Sequence, residues 1–269
     1  MRYDPIKDSL DKVFSRSVFS RKLFYFLLDL LLLRAWYIRK ELRKFRSRSG
    51  DIAEILDAGA GFGQYSYFMS RLSDNWKITA VEIKSKQVNE CNLFFSKIFH
   101  KPHVVFEEAD LVTYRKAETY DLILCVDVME HIREDALVFE NFYLSLKPGG
   151  LLLISTPSDQ GGSDVHHDNE VSFVEEHVRN GYGMNELDGK LRDAGFRIIE
   201  SKYSYGLAGK ISWKFSLKYP IMLLNTAKIF FIILPFYYLV TFPFSLLLNL
   251  LDVNKKQKTG SGLIVKAWK

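Results

Sequence analysis

Short apolar runs that end in a carboxylate recur along the chain: Ile55 and Leu56 before Asp57, Lys77 to Val81 before Glu82, Val104 to Phe106 before Glu107, Glu108 and Asp110, and Leu122 to Val126 before Asp127. Near-continuous apolar character over so few residues suits strands buried on both faces of a parallel sheet, and helix-compatible stretches separate them. Strand and helix in alternation predict an α/β domain. A fifth strand follows Lys147, Pro148, Gly149 and Gly150, where proline ends a helix and glycine permits the reversal. Asn185 to Phe196 reads as a helix closed by Gly195, Arg197 to Ser201 as a sixth strand, and Gly262 to Trp268 as the last.

Two stretches depart from this pattern. From Leu23 to Ile38 the chain is apolar almost all round, broken by Asp29 and Arg34, and then turns basic through Arg39, Lys40, Arg43, Lys44, Arg46 and Arg48 against a single Glu41. No small-residue cleavage site follows, which excludes a simple signal peptide, and the internal charges make a spanning helix costly. The segment reads either as a helix packed on the domain or as one lying in a membrane interface with its basic end toward anionic head groups. From Tyr219 to Leu251 the only charge is Lys228. Such a run ordinarily signals a transmembrane helix. Pro235 and Pro243 interrupt it, however, and the last strand must rejoin the sheet, so the segment is expected to enter and leave on one side as two helical pieces hinged near the prolines. Lys210, Lys214, Lys218, Lys255, Lys256 and Lys258 flank it. A lid over the substrate or a homodimer seam is the alternative use of so much apolar surface.

The length of 269 residues and 48% hydrophobic content suit one α/β domain with additions at both ends. Cys91 and Cys125 are too few, and too deep in expected helix and strand, for a disulfide framework, which points to a reducing compartment. The net charge of +5 raises the question of nucleic acid, but the basic residues flank leucine-rich runs instead of an aromatic-studded groove, so nucleic acid is not expected.

Chemistry concentrates in EILDAGAGFGQYS, residues 54 to 66, where Gly59, Gly61 and Gly63 follow a strand and open a helix. By itself the spacing suits a tight turn as well as a ligand site. Its surroundings favour the ligand: Glu82 arrives about one βαβ unit later, where ribose hydroxyls could donate to it, and the polar strand ends share one rim, outside which ligands of open α/β sheets bind. The glycine run, Glu82, Asp110, the YDLILCVDVMEHI segment and LKPGGLLLISTPS together resemble, in order, the motifs of class I S-adenosylmethionine-dependent methyltransferases, in the branch acting on quinones, lipids and other small molecules.

That resemblance covers roughly residues 50 to 200, resumes at the last strand, and implies a seven-stranded Rossmann-like methyltransferase sheet. With the two apolar additions the chain divides into an amino-terminal helical extension at residues 1–49, the core at 50–205, an apolar helical insertion at 206–258 before the last strand, and that strand at 259–269. The resemblance implies S-adenosylmethionine as cofactor, held by Asp57, Gly59, Ala60, Gly61, Gly63 and Tyr65 at its methionine and ribose end, by Glu82 and Ile83 at the ribose, by Asp110 and Leu111 at the adenine, and by Val126, Asp127 and Val128 near the sulfonium. Acids at 57, 82, 110 and 127 suit a cationic sulfonium and repel a phosphorylated ligand. The G-x-G-x-G spacing agrees, since dinucleotide sites use G-x-G-x-x-G.

Methyl transfer is an in-line displacement that needs alignment and, for some acceptors, removal of a proton. Candidates for that proton are His131 and the polar stretch after strand five, with His166, His167, His177 and Tyr182. No metal site is expected, because neither an H-x-x-x-H pair nor neighbouring cysteines occur. The expected partners are a hydrophobic small molecule or lipid and an anionic membrane surface, with a homodimer as an alternative seam. The expected location is the cytoplasmic face of a membrane, peripheral or monotopic. A soluble methyltransferase and an inactive membrane adaptor are the competing readings.

Overall fold

The computed structural model of the chain describes residues 17–99, 103–161, 178–226 and 230–269. His166, His167 and His177 lie outside them. Seven strands, β1 (Ala53–Ala58), β2 (Trp76–Glu82), β3 (Val104–Glu108), β4 (Tyr120–Val126), β5 (Leu146–Pro157), β6 (Ile198–Ser204) and β7 (Gly262–Trp268), form one sheet in the order β3-β2-β1-β4-β5-β7-β6. All neighbouring pairs are parallel except those made by β7, which runs antiparallel to both β5 and β6. The strand order reverses beside β1, so the carboxyl ends of β1 and β4 face a crevice.

Alternation sends Ile55, Leu122 and Leu124 to one face and Leu56, Ile123 and Cys125 to the other. Helices α1 (Val18–Leu31), α2 (Leu33–Ser49), α3 (Gln64–Ser70) and α4 (Ser85–Ile98) cover the first face, while α5 (Asp135–Ser145) and α6 (Met184–Asp193) cover the second. At the exposed edge, Asn92 of α4 acts as a substitute strand: its amide donates to the Phe106 carbonyl at 2.9 Å and its oxygen accepts the Phe106 N–H at 2.9 Å. That occupies one residue's N–H and C=O on an edge strand open to pairing with another chain.

The amino-terminal segment is packed on the domain. Leu32, Leu33, Ala35, Tyr37, Ile38, Leu42 and Phe45 are buried against the sheet, and Leu32 adopts an extended conformation that separates α1 from α2. Much of its basic run is used internally: Arg39 pairs with Asp29 at 3.0 Å and stacks on Phe68, while the buried Glu41 accepts from Lys44 and Lys202. Only Phe19, Leu23 and Phe26 of α1 present large apolar side chains outward.

The insertion is a helical hairpin. Helix α7 (Leu207–Trp213), a π-helical turn (Lys214–Lys218) and α8 (Tyr219–Thr226) form one arm, and α9 (Phe230–Asn254) forms the other. The chain leaves β6 at Ser204 and re-enters β7 at Gly262, residues that face each other across the sheet, so the segment departs and returns at one place. Pro235 and Pro243 do not divide it as the sequence suggested; both lie inside α9. Each proline removes one helical hydrogen bond, and packing against the opposite arm supplies the continuity that backbone bonding alone would not.

Candidate active site

The glycine loop is shaped by three different demands. Gly59, with φ +71°, sits where an added Cβ would come within 2.3 Å of the Val128 side chain, so close approach of the β4 turn excludes any larger residue. Gly63, with φ +77°, faces Phe106, Phe95 and the Tyr25 hydroxyl. Gly61, with φ +53°, has nothing within 4 Å and is the glycine that opens toward free space. The loop is anchored to β2 by Gly59 and Ala60 N–H groups donating to the Val81 carbonyl at 2.8 and 2.9 Å. Glu82 completes it, accepting the Gly61 N–H at 3.0 Å on one oxygen and the Lys84 N–H at 3.1 Å on the other. Each oxygen keeps a lone pair for a hydroxyl donor.

Asp57 is buried at the end of β1 and accepts the Ser66 hydroxyl at 2.6 Å. Burial pushes its carboxyl up to about 6, against the opposing effect of Ser66. Asp110 is exposed beyond β3 and caps the next turn by accepting the Val112 N–H at 2.9 Å, next to the buried Leu111. Ile83 is exposed beside Glu82, and Val126 and Val128 are half-buried at the β4 end. Asp127 has a left-handed backbone, φ +52°, held by its N–H donating to the Ser155 carbonyl at 2.8 Å, and its carboxylate pairs with Arg34. The rim is therefore less acidic than a count of its carboxylates implies: Asp127 has a cation and Asp57 is shielded.

Arg34 is the site residue that motif reading missed. It comes from α2, its backbone N–H donates to the Tyr205 hydroxyl at 3.1 Å, and its guanidinium reaches the β4 end. The signal was visible as a lone cation inside an apolar run. Asp29, the other charge in that run, accepts from Gln64 of α3 at 2.8 Å, and Arg21 and Tyr25 of α1 both donate to the Phe62 carbonyl in the glycine loop. The amino-terminal helices thus fasten the loop from above. Tyr65 lies within this group, and its buried hydroxyl has no hydrogen-bond partner among the described residues. Arg34, Asp127, Tyr205 and Asp29 all act electrostatically on it, and burial holds the phenol above its ordinary range.

S-adenosylmethionine fits these residues. An orphaned buried hydroxyl at Tyr65, open space at Gly61, a carboxylate with spare lone pairs at Glu82, and a cation and anion together at Arg34 and Asp127 complement a ligand with a ribose, an ammonium and a carboxylate. Glu82 and Gly61 would hold the ribose, Arg34 the carboxylate, and Asp57 or Asp127 the cationic groups.

The described candidates for proton transfer occupy different places. His131 is half-buried at the end of a 3-10 turn (Met129–His131), its backbone N–H donating to the Val128 carbonyl at 3.0 Å. Tyr182 is fully buried; its hydroxyl donates to Asp135 at 2.7 Å and lies 3.1 Å from the Met129 carbonyl. Asp135 also receives Arg179 and Lys190, so Tyr182 fastens α5 to α6 below the rim, and burial beside Asp135 raises its phenol above the ordinary range. Glu130, next to His131, is buried on Thr156 at 3.1 Å and pushed up to about 8 by burial and by Asp127. Among the described residues no group of three His, Cys, Asp or Glu side chains is arranged to hold a metal.

Comparison with known proteins gives the family and the likeness of fold. The family described as "Methyltransferase domain" matches residues 19–201. Phosphoethanolamine N-methyltransferase 1 of Triticum aestivum is 30% identical over 150 residues, covering 54% of this chain and 28% of that one. A ubiquinone biosynthesis O-methyltransferase of Rickettsia prowazekii (strain Madrid E) is 27% identical over 130 residues, covering 47% of this chain and 50% of that one. The chain thus spans half or less of the length of these relatives. The structure of Haemonchus contortus phosphoethanolamine N-methyltransferase 2 in complex with S-adenosyl-L-methionine superposes with a TM-score of 0.62 at 17% identity, covering 97% of this chain and 59% of that one, a likeness of fold.

Proposed function

Because the chain belongs to the methyltransferase-domain family, we propose that it transfers a methyl group from S-adenosylmethionine to a hydroxyl, carboxyl or activated carbon of a hydrophobic small molecule or lipid at a membrane surface. The cofactor supplies an electrophilic methyl on a sulfonium. The protein's own residues bind and orient: Gly61 presents bare main chain, Glu82 accepts ribose hydroxyls, and Arg34 and Asp127 separate to take the carboxylate and ammonium of the amino-acid end. Opposite charges at fixed positions select one orientation of a zwitterion. His131 is the described group available to take a proton from the acceptor, and His166, His167 and His177 belong to the same proposal.

The membrane part rests on the hairpin being inverted. Its inner seam is polar, with Ser212 donating to the Ser245 carbonyl at 3.1 Å, Tyr237 and Tyr238 donating to the Phe215 and Ser216 carbonyls at 2.7 and 2.8 Å, and Gly209 N–H donating to the buried Asp252 at 3.0 Å. Its outer face is apolar, with Phe236 69%, Leu239 75% and Val240 76% exposed. Polar residues between helices and apolar residues outside is the arrangement that lipid favours and water does not. The span Ile232–Asn254 is long and apolar enough to cross a membrane, yet only 11% of its apolar window is buried. The hairpin also stands next to the rim: Tyr37, one turn along α2 from Arg34, donates to Asp252 at 2.7 Å. An acceptor dissolved in lipid would therefore arrive beside the sulfonium pocket.

The test is methyl transfer from labelled S-adenosylmethionine into total membrane extract. Label in the organic phase, lost with Arg34→Gln through at least a tenfold weaker cofactor affinity, supports the reading. Label confined to water-soluble acceptors would leave a soluble methyltransferase with the hairpin as lid or seam.

A further inference from the structure

The hairpin carries a second ordered feature on the arm opposite α9. Lys210, Lys214 and Lys218 follow one another at four-residue spacing along α7 and the π turn. In an α-helix of 3.6 residues per turn, residues four apart overshoot one turn by about 40°. A π turn, bonded i to i+5, holds more residues per turn, so the same spacing falls short of one turn there. Lys210 to Lys214 advances and Lys214 to Lys218 falls back, so the spacing keeps the three positions near one line along the arm. Gly209, Ser212 and Ser216, which precede them, are the residues buried toward α9, so the lysines occupy a flank turned away from it. Lys214 is exposed and Lys210 and Lys218 are half-buried, Lys218 leaning on the Trp213 ring at 5.8 Å, an aromatic and cation pairing suited to a lipid-water boundary.

We propose that this lysine row docks on the phosphate head groups of acidic lipids and sets the hairpin flat in the leaflet, lysines toward the phosphates and the α9 stripe toward the acyl chains. The inference rests on the membrane reading above. A hairpin standing upright would carry Lys218 about 12 Å deeper than Lys210, at 1.5 Å per residue, and would bury a charge in hydrocarbon. Lying flat, all three lysines share one depth, while Phe236, Leu239, Val240, Phe244 and Leu247 share another.

The experiment is flotation of the full chain with vesicles of phosphatidylcholine alone and of phosphatidylcholine with phosphatidylglycerol, for the wild type, for Lys210→Gln/Lys214→Gln/Lys218→Gln, and for the same three positions changed to Arg. The expected result is that wild type binds both vesicles and prefers the acidic ones. The Gln variant should keep its binding to neutral vesicles and lose roughly five-fold of the acidic preference for each lysine, about a hundredfold in all, and the Arg variant should restore it. Nitroxides at Ile232→Cys and Leu247→Cys should report equal depth. A Gln variant that keeps the preference for acidic vesicles, or unequal nitroxide depths, overturns the lysine row and its flat orientation while membrane binding stands. A wild type that floats with neither vesicle overturns the membrane reading itself.

Discussion

At the carboxyl rim, polar groups point outward from an apolar sheet and are held by main chain: Glu82 on Gly61, Asp127 on Ser155, Gly59 on Val81. In the hairpin the polar groups point inward and apolar side chains point out, with Asp252 fully buried and Leu239 75% exposed. The first presents polar groups to solvent or a charged ligand; the second presents apolar side chains and keeps its polar groups inside, where Ser216, Ser245 and Asn249 each carry a buried oxygen with no hydrogen-bond partner among the described residues. The two meet along α2, where Arg34 serves the rim and Tyr37 serves the hairpin. One helix therefore couples the regions.

The comparison is broken most severely at the rim by Gly59→Val. That position combines a left-handed φ with a 2.3 Å approach to Val128, so a β-branched side chain must both strain the loop and push the β4 turn off it. Affinity for S-adenosylmethionine should fall at least about a hundredfold by calorimetry, since strain and clash each cost on the order of 1–3 kcal/mol. Vesicle binding should be unchanged, because the hairpin is anchored to α2 through Tyr37 and Asp252. Loss of both would mean the regions are not separable.

A second prediction uses the buried acid of the rim. Asp57 has an ordinary value of 3.8 and is pushed up to about 6 in the folded protein by burial. The folded state therefore holds a proton that the unfolded chain has released between those values, and the contribution of Asp57 to stability falls as pH rises from about 4 to about 6, then levels. The full loss is on the order of 3 kcal/mol. Asp57→Asn should remove the Asp57 share of that slope from denaturant titrations and leave the decline toward pH 8 that Glu130, pushed up to about 8, contributes. Saturating cofactor should flatten the Asp57 share as well, because a cationic ligand nearby favours the charged carboxylate. A slope between about pH 4 and 6 that is the same in Asp57→Asn as in the wild type would overturn the assignment to Asp57.

Which parts of this could be read from sequence follows from the range of the interactions. The strands, the glycine loop and the acids at 57, 82, 110 and 127 are local patterns, apolar runs ending in a polar residue, and the structure places them on one rim. The sixth strand extends to Ser204, where Arg197 to Ser201 was expected, because its partner β7 dictates its length. Arg34 could not be assigned from pattern, since its role depends on α2 crossing β4, a contact between residues 34 and 127. Pro235 and Pro243 misled for the same reason: local propensity says break, while packing against the opposite arm keeps α9 whole. The inverted seam was equally hidden, since Tyr237 and Tyr238 read as ordinary members of an apolar run until their partners are known.

The smallest effect tests that seam. Tyr238→Phe removes one hydroxyl that donates to the Ser216 carbonyl at 2.8 Å, within the π turn, while leaving the ring and the volume in place. In the hairpin's buried interior the carbonyl then loses a partner, which costs about 1 kcal/mol, and Tyr237→Phe should cost a similar amount at Phe215. The measurement is thermal unfolding in detergent micelles, with the two changes made singly and together. Cofactor affinity should stay at the wild-type level, since both hydroxyls lie at the far side of the Asp252 anchor from Arg34. If neither change moves the transition, the hydroxyls have water as an alternative partner, and the hairpin interior is wet. In that case the exposed stripe of α9 would face a protein surface as readily as lipid, and the contrast between rim and hairpin would reduce to one of sequence composition.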